Sequence, residues 1–239
     1  MKIKTVFFIF MILAQLSYAK EITIAIEDNA MPLSGKENQG FSYRLVKEIF
    51  KDGPYSVKFL SVPYARVVKM IENDEVDAAL HVTKDVENKE NFYFSKEVFI
   101  IAKAYLYYDK DSNENFKDLS QIPDGTPVGK MIDFEYGKEF QIHKSRFKLF
   151  KVSDQEQLIN LLNIGRIKVA AMYNRIALHT LKKMGKSHDQ LRRGFFLNNS
   201  KAYLAFNKKR KHSSELAKFY DKRLRKLKEN GTYKKIISY

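Results

Sequence analysis

The sequence predicts an α/β protein built as two lobes, and three observations predict it. An amphipathic helical run that stops at a turn and feeds a buried strand occurs twice, at residues 67–71 leading through Asn73-Asp74-Glu75 into 76–81, and at residues 158–162 leading through Gly165-Arg166 into 167–172. The apolar residues of each run recur at helical spacing, and the short apolar stretch after each turn reads as a strand covered on both faces. Each is half of a βαβ unit, and two such units in one chain leave a cleft between them, where small ligands are usually held. The third observation is a pair of apolar runs, 98–108 and 202–206, placed to carry the chain out of the first lobe and back again. Two such linker strands permit a hinge.

Taken in order, Ile22-Thr23-Ile24-Ala25-Ile26 is β-branched and alternating, the pattern of a strand. Residues 28–40 are rich in turn formers and read as a loop. Phe41, Leu45, Ile49 and Phe50 form a helical stripe that ends near Asp52-Gly53-Pro54. Residues 57–60 read as the next strand, and Pro63 suits the first turn of a helix carrying Tyr64 and Arg66. A strand over 76–82 follows. The second lobe begins near Phe116-Lys117-Asp118-Leu119, with a turn at 123–127, a strand at 128–131, a helix from about Tyr136 and a strand at 147–151. The repeated helix-turn-strand unit comes next, Asn198 to Ser200 reads as a break, and 202–206 returns as a strand. Ser213 is placed to cap a last long helix bearing Leu216, Phe219, Tyr220, Leu224 and Leu227 on one face and ending at Asn230-Gly231.

The N-terminus reads as an export signal: Lys2 and Lys4, a short apolar core, then Ser17-Tyr18-Ala19, which predicts cleavage after Ala19. The mature chain is expected to be soluble and periplasmic. Cysteine is absent from all 239 residues, which excludes disulfides, a thiolate nucleophile and a cysteine-ligated metal. Lys and Arg number 43 against 28 Asp and Glu. The basic runs 208–211 and 223–228 lie in a loop and on a helix whose other face is apolar, so they read as solvated faces, and no nucleic-acid motif accompanies them. The five histidines lack the HExxH spacing of a metal site, and no GxSxG, P-loop or GxGxxG is present.

The ordered set of a Pro-containing first loop, Gly40-Phe41, Val62-Pro63-Tyr64 with Arg66, Glu75-Val76-Asp77-Ala78, Thr83, Phe94-Ser95, Val128-Gly129, Tyr136-Gly137, Gly165-Arg166-Ile167 and a closing Gly231-Thr232-Tyr233-Lys234-Lys235-Ile236 resembles the extracytoplasmic solute-binding proteins of family 3. These are the periplasmic amino-acid-binding proteins of ABC importers. The resemblance spans essentially the whole mature chain. It implies the type II periplasmic binding fold, two Rossmann-like α/β lobes joined by two hinge strands, with residues 1–19 as signal peptide, 20–106 plus 201–239 as lobe 1 and 107–200 as lobe 2. It further implies a clamp that closes on a small polar solute and delivers it to a permease in the inner membrane; a monomer is expected, and no cofactor.

Departures from the family pattern bear on the ligand. The first loop reads Ala30-Met31-Pro32-Leu33, without the usual aromatic pair, and Thr83-Lys84-Asp85-Val86-Glu87-Asn88 has no Arg to grip an α-carboxylate. Tyr173-Asn174 stands where an ammonium-binding Asp is expected. The candidate ligand residues are therefore Asn29, Met31, Tyr64, Arg66, His81, Thr83 and Lys84 on the first lobe, and Asp133, Phe134, Tyr136, Tyr173 and Asn174 on the second. Arg66 is a candidate anion site at a helix N-terminus, Lys84 a replacement cation, and Phe134 or Tyr136 a stacking ring. No catalytic or metal-ligating set is identified. Two further readings stay open: a periplasmic dehydratase using Glu135 or Asp133 as its acid, and a sensory or accessory module working through its basic surface.

Overall fold

The computed structural model describes residues 19–84, 89–132 and 134–238. The expected signal peptide lies, Ala19 apart, outside the described residues. The first half opens with β1 (Lys20–Glu27), a small hairpin of β2 (Asn29–Ala30) and β3 (Ser34–Gly35), and helix α1 (Phe41–Phe50). β4 (Tyr55–Val62), α2 (Tyr64–Glu72), β5 (Ala78–Thr83) and β6 (Phe92–Phe94) follow. α1 forms where the sequence predicts it because Phe41, Leu45, Val46, Ile49 and Phe50 bury one face. Its start is fixed by Gly40, whose φ of 105° and approach to the Leu33 carbonyl leave no room for a Cβ.

β7 (Ile100–Asp109) leads to the second half: β8 (Pro127–Met131), α3 (Lys138–His143), β9 (Lys148–Val152), α4 (Gln155–Asn163), β10 (Val169–Tyr173) and α5 (Asn174–Lys183). The Asp154 carboxylate caps α4 by accepting from the Glu156 and Gln157 N–H groups at 2.8 and 3.0 Å. α4 lies tight on β8, since a Cβ at Gly129 would come within 2.5 Å of the Leu158 side chain. β11 (Leu191–Asn207), α6 (Ser213–Glu229) and α7 (Thr232–Ile237) complete the described chain.

All strands but the β2–β3 hairpin join one sheet of nine, in the order β4-β1-β5-β11-β7-β10-β8-β9, with β6 also on β11. β4, β1 and β5 are parallel, as are β10, β8 and β9, which makes β4 and β9 the edges. Between these blocks run the antiparallel β7 and β11. The C-terminal part of β11 pairs with β5, Ala202 opposite Thr83, and its N-terminal part pairs with β7, from Leu191 opposite Asp109 to Ala202 opposite Ile100. β7 in turn pairs with β10 through residues 104–107. Among the described residues the outgoing and returning strands are thus the only ladder between the two blocks of this sheet.

Five expectations are corrected. The break at Asn198 to Ser200 is not a break: β11 runs through it, because the backbone there is taken up by the ladder to β7, and the turn-forming residues are absorbed by irregularities on either side of Phe196. Ser213 does not cap α6. It is the first helical residue, and its buried hydroxyl donates to the Asn207 carbonyl. Arg210 does not belong to a solvated basic run, since its guanidinium donates to Asp74 at 2.9 Å and to Asp77 at 2.8 Å. The helix expected from Tyr136 begins at Lys138. The strand after Asp77 begins at Ala78, because Asp77 turns in to accept from the Thr23 N–H at 2.8 Å.

Asp77 also accepts from His212 Nε2 at 3.0 Å, so one buried carboxylate ties β1 to the segment between β11 and α6. Removing one partner of a buried ion pair leaves the other uncompensated. Asp77→Ala is expected to lower unfolding free energy by about 3 kcal/mol, read from the midpoint of urea denaturation, and Arg210→Ala by less because that guanidinium is partly hydrated.

Candidate functional site

A cavity of about 320 Å³ opens between the two halves of the sheet. It sits at the carboxyl ends of β1, β5 and β10, the place where open α/β sheets hold ligands. Glu27, Tyr64, His81 and Thr83 line it from the first half, Phe134, Glu135, Tyr173 and Asn174 from the second, and Ile100 to Lys103, Ser200 and Ala202 of the two shared strands form its floor. A second cavity of about 610 Å³ shares Glu27, Tyr64, Phe134 and Ile176 with the first, so the two are chambers of one cleft. The halves touch directly across this cleft. Asn29 Nδ2 donates to the Ser153 carbonyl at 2.8 Å, and Arg175 Nη1 donates to the Ile237 carbonyl at 3.0 Å.

Of the residues singled out from sequence, Tyr64, His81, Thr83, Phe134, Tyr173 and Asn174 meet at the first chamber, and Asn29 and Met31 line the second. Asp133 lies outside the described residues. Arg66 is exposed and lines neither chamber. Lys84 is exposed too, its ammonium 4.4 Å from the Tyr203 ring centroid and 5.8 Å from that of Phe94, off the cleft. Tyr136 is core: its ring packs on Phe140 and Tyr173 with centroids 5.5 and 5.3 Å away, and its hydroxyl accepts from the Met131 N–H at 3.5 Å. It backs Tyr173, whose hydroxyl reaches the Glu135 carbonyl and lies 2.8 Å from Ser200 Oγ. Asn174 Oδ1 accepts from the Tyr107 hydroxyl at 2.8 Å.

Burial, followed by the nearby negative charge of Glu27 and of Glu135, raises the Tyr64 phenol above its ordinary range, so it faces the cavity as a neutral hydroxyl. His81 is buried beside the Phe99 ring, with centroids 5.6 Å apart. Its Nε2 lies 2.9 Å from Ser42 Oγ, Nδ1 has no partner among the described residues, and burial pushes its pKa down to about 3. The ring is neutral at physiological pH.

Sequence reasoning passed over Glu27, the floor residues and Arg175 as ligand groups, and named Glu135 only as an acid for a different chemistry. The signal for Glu27 was present: an acid closing the alternating run of β1. Gln155, buried in the lining of the second chamber with neither amide atom partnered among the described residues, gave none.

Between about pH 6.5 and pH 3 the unfolded chain protonates His81 and the folded chain does not, so stability from this group is complete above pH 6.5 and falls as pH drops through that window. His81→Asn, a residue that tolerates the φ of 66° found here, is expected to flatten that part of the stability-against-pH curve, measured by urea denaturation at stepped pH.

Two α/β halves strung on a pair of shared strands, with a lined cleft between them, define the class of type II periplasmic binding proteins. The chain belongs to the bacterial extracellular solute-binding proteins, family 3, whose model matches residues 22–239. No curated protein sequence matches it. Among solved structures it is similar to a mutant of ArgBP from T. maritima, with 19% identity, 91% of this chain and 93% of that one covered and a TM-score of 0.75. It is also similar to the GluR0 ligand-binding core from Nostoc punctiforme in complex with L-glutamate, with 17% identity, coverage of 90% and 96% and a TM-score of 0.74. An amino acid ABC transporter substrate-binding protein from Streptococcus pneumoniae bound to L-arginine gives 20%, 91% and 92%, and 0.73. At these identities the likeness is one of fold. No helix among the described residues is long and apolar enough to cross a membrane.

Proposed function

We propose that the protein is a periplasmic binder that captures a small polar solute in the inter-lobe cleft and presents it to an ABC permease of the inner membrane. The observation that carries this reading is the first chamber, walled by polar side chains of both halves, so that a solute there is held only when the halves are together. Family membership and neighbours that bind amino acids support an amino-acid-like solute. The standard α-amino-acid site is not reproduced: residues 83–88 lack an Arg, and Tyr173-Asn174 offers neutral groups. The protein is read as a binder rather than an enzyme, acting as a monomer after removal of residues 1–19. The lobes are assigned as 20–106 plus 201–239 and 107–200, flexing where residues 101–103 and 199–201 pair only with each other.

A solute that binds only the folded state raises its stability by about 2.7 kcal/mol at a hundred times its Kd. The expected outcome is a thermal shift with at least one small solute from a panel of amino acids, amines and organic acids, with a smaller radius of gyration in X-ray scattering. No shift with any of them overturns the reading. Asn29→Ala removes a cross-cleft hydrogen bond worth about 0.5–1.5 kcal/mol, and is expected to weaken binding of that solute a few-fold and to enlarge the unliganded protein in scattering.

A further inference from the structure

The charges on the cleft are not arranged for an α-carboxylate. Glu27, at the end of β1, is buried, and Glu135 faces it from the other half, both on the wall of the first chamber. Burial raises the Tyr64 and Tyr136 phenols, and the negative charge of both carboxylates adds to it at each. The rings of Tyr64, Phe134 and Tyr173 line the same chamber, the last two with centroids 5.6 Å apart.

Among the described residues the cations that line this chamber, Arg175 and Lys103, are solvent-exposed, whereas the Glu27 carboxylate is buried. Arg175 is exposed, bonded to the Ile237 carbonyl and 5.7 Å from the Phe41 ring centroid. Lys103 is exposed on the floor strand. Lys130, buried on β8, donates to the Ile132 carbonyl at 3.1 Å and lines neither chamber. His81 adds an independent observation: it is 7% exposed, borders the chamber, and carries an Nδ1 with no partner among the described residues on a ring tied to Ser42 through Nε2. A neutral imidazole whose Nε2–H goes to Ser42 offers a lone pair at Nδ1, the group an ammonium or guanidinium N–H seeks.

Resting on the solute-capture reading above, we propose that the solute is an organic cation without an α-carboxylate, an amine or guanidine of the decarboxylated amino-acid type. Its charged head lies between Glu27 and Glu135 against the faces of Tyr64 and Tyr173, and its aliphatic stem lies over Ile100 and Ile101. Acid pairs favour a cation by direct attraction, aromatic faces by their quadrupole, and the water-poor chamber strengthens both.

Agmatine and L-arginine differ by the carboxylate alone and form the matched pair for titration calorimetry on the mature chain, with cadaverine and L-lysine as a second pair and L-glutamate as the anionic control. Each amine is expected to bind roughly tenfold or more tighter than its amino acid, and Glu27→Gln to weaken agmatine by a similar factor, the loss of a charge-assisted contact. Glu135→Gln, an exposed position where folding is not at risk, is expected to weaken it as well. Tighter binding of arginine, lysine or glutamate, or agmatine affinity unchanged in a Glu135→Gln protein and in a folded Glu27→Gln protein, overturns the assignment of solute class while leaving solute capture intact. Absence of heat and of any thermal shift with all five overturns both.

Discussion

The antiparallel pairing of β7 with β11 is the constraint on which the rest of the molecule depends. Among the described residues the other strands of the main sheet belong to one block or the other, save β6, which pairs with β11 alone, and only this ladder joins the two. The ladder takes up Asn198, Asn199 and Ser200, residues that by themselves favour turns, and so carries the chain across the gap as a strand. The same two strands supply the floor of the cleft, so on the proposed reading the element about which the halves would move is also the surface on which a solute would rest. Binding would then be coupled to the relative position of the halves by contact rather than by any long path.

The walls of the cleft follow from strand direction. β1 and β5 run parallel in one block, and the three antiparallel pairings through β11 and β7 turn β10 to run against them, so the carboxyl ends of the two blocks meet at the cleft and bring Glu27, His81, Thr83, Tyr173 and Asn174 to one place although they are far apart in sequence. Behind them the packing is rigid: Tyr136 is locked by Phe140 and by the Met131 backbone, and it fixes the plane of Tyr173. On the proposed reading, a wall of phenols and a neutral imidazole with two carboxylates set among them would select by charge as much as by shape.

Much of this architecture was legible in the sequence. The stripe of Phe41, Leu45 and Ile49 and the twin helix-turn-strand units each express a period that burial dictates, and the structure places helices and strands there. The errors fall where long-range pairing overrides local preference, as at Asn198 to Ser200, or where a charge finds a distant partner, as Arg210 finds Asp77. The site was legible as a set of strand ends but not in its charge pattern. Lys84 looked like a replacement cation by position, yet two rings brought close by the fold, those of Tyr203 and Phe94, hold its ammonium away from the cleft. Gln155 is an unremarkable helix residue in sequence, and only the packing of α4 against β8 makes its amide a buried group in the cleft lining.

The outermost strands of the sheet, β4 and β9, carry exposed Lys58 in the first and exposed Lys148 and Lys151 in the second. A lateral strand with free peptide groups is a template on which another molecule can build a fibril, and ammonium groups repel such an approach between like surfaces. The sheet can therefore stay open at both ends, as a clamp requires, without inviting polymerisation in a crowded space beyond the reach of cytosolic chaperones.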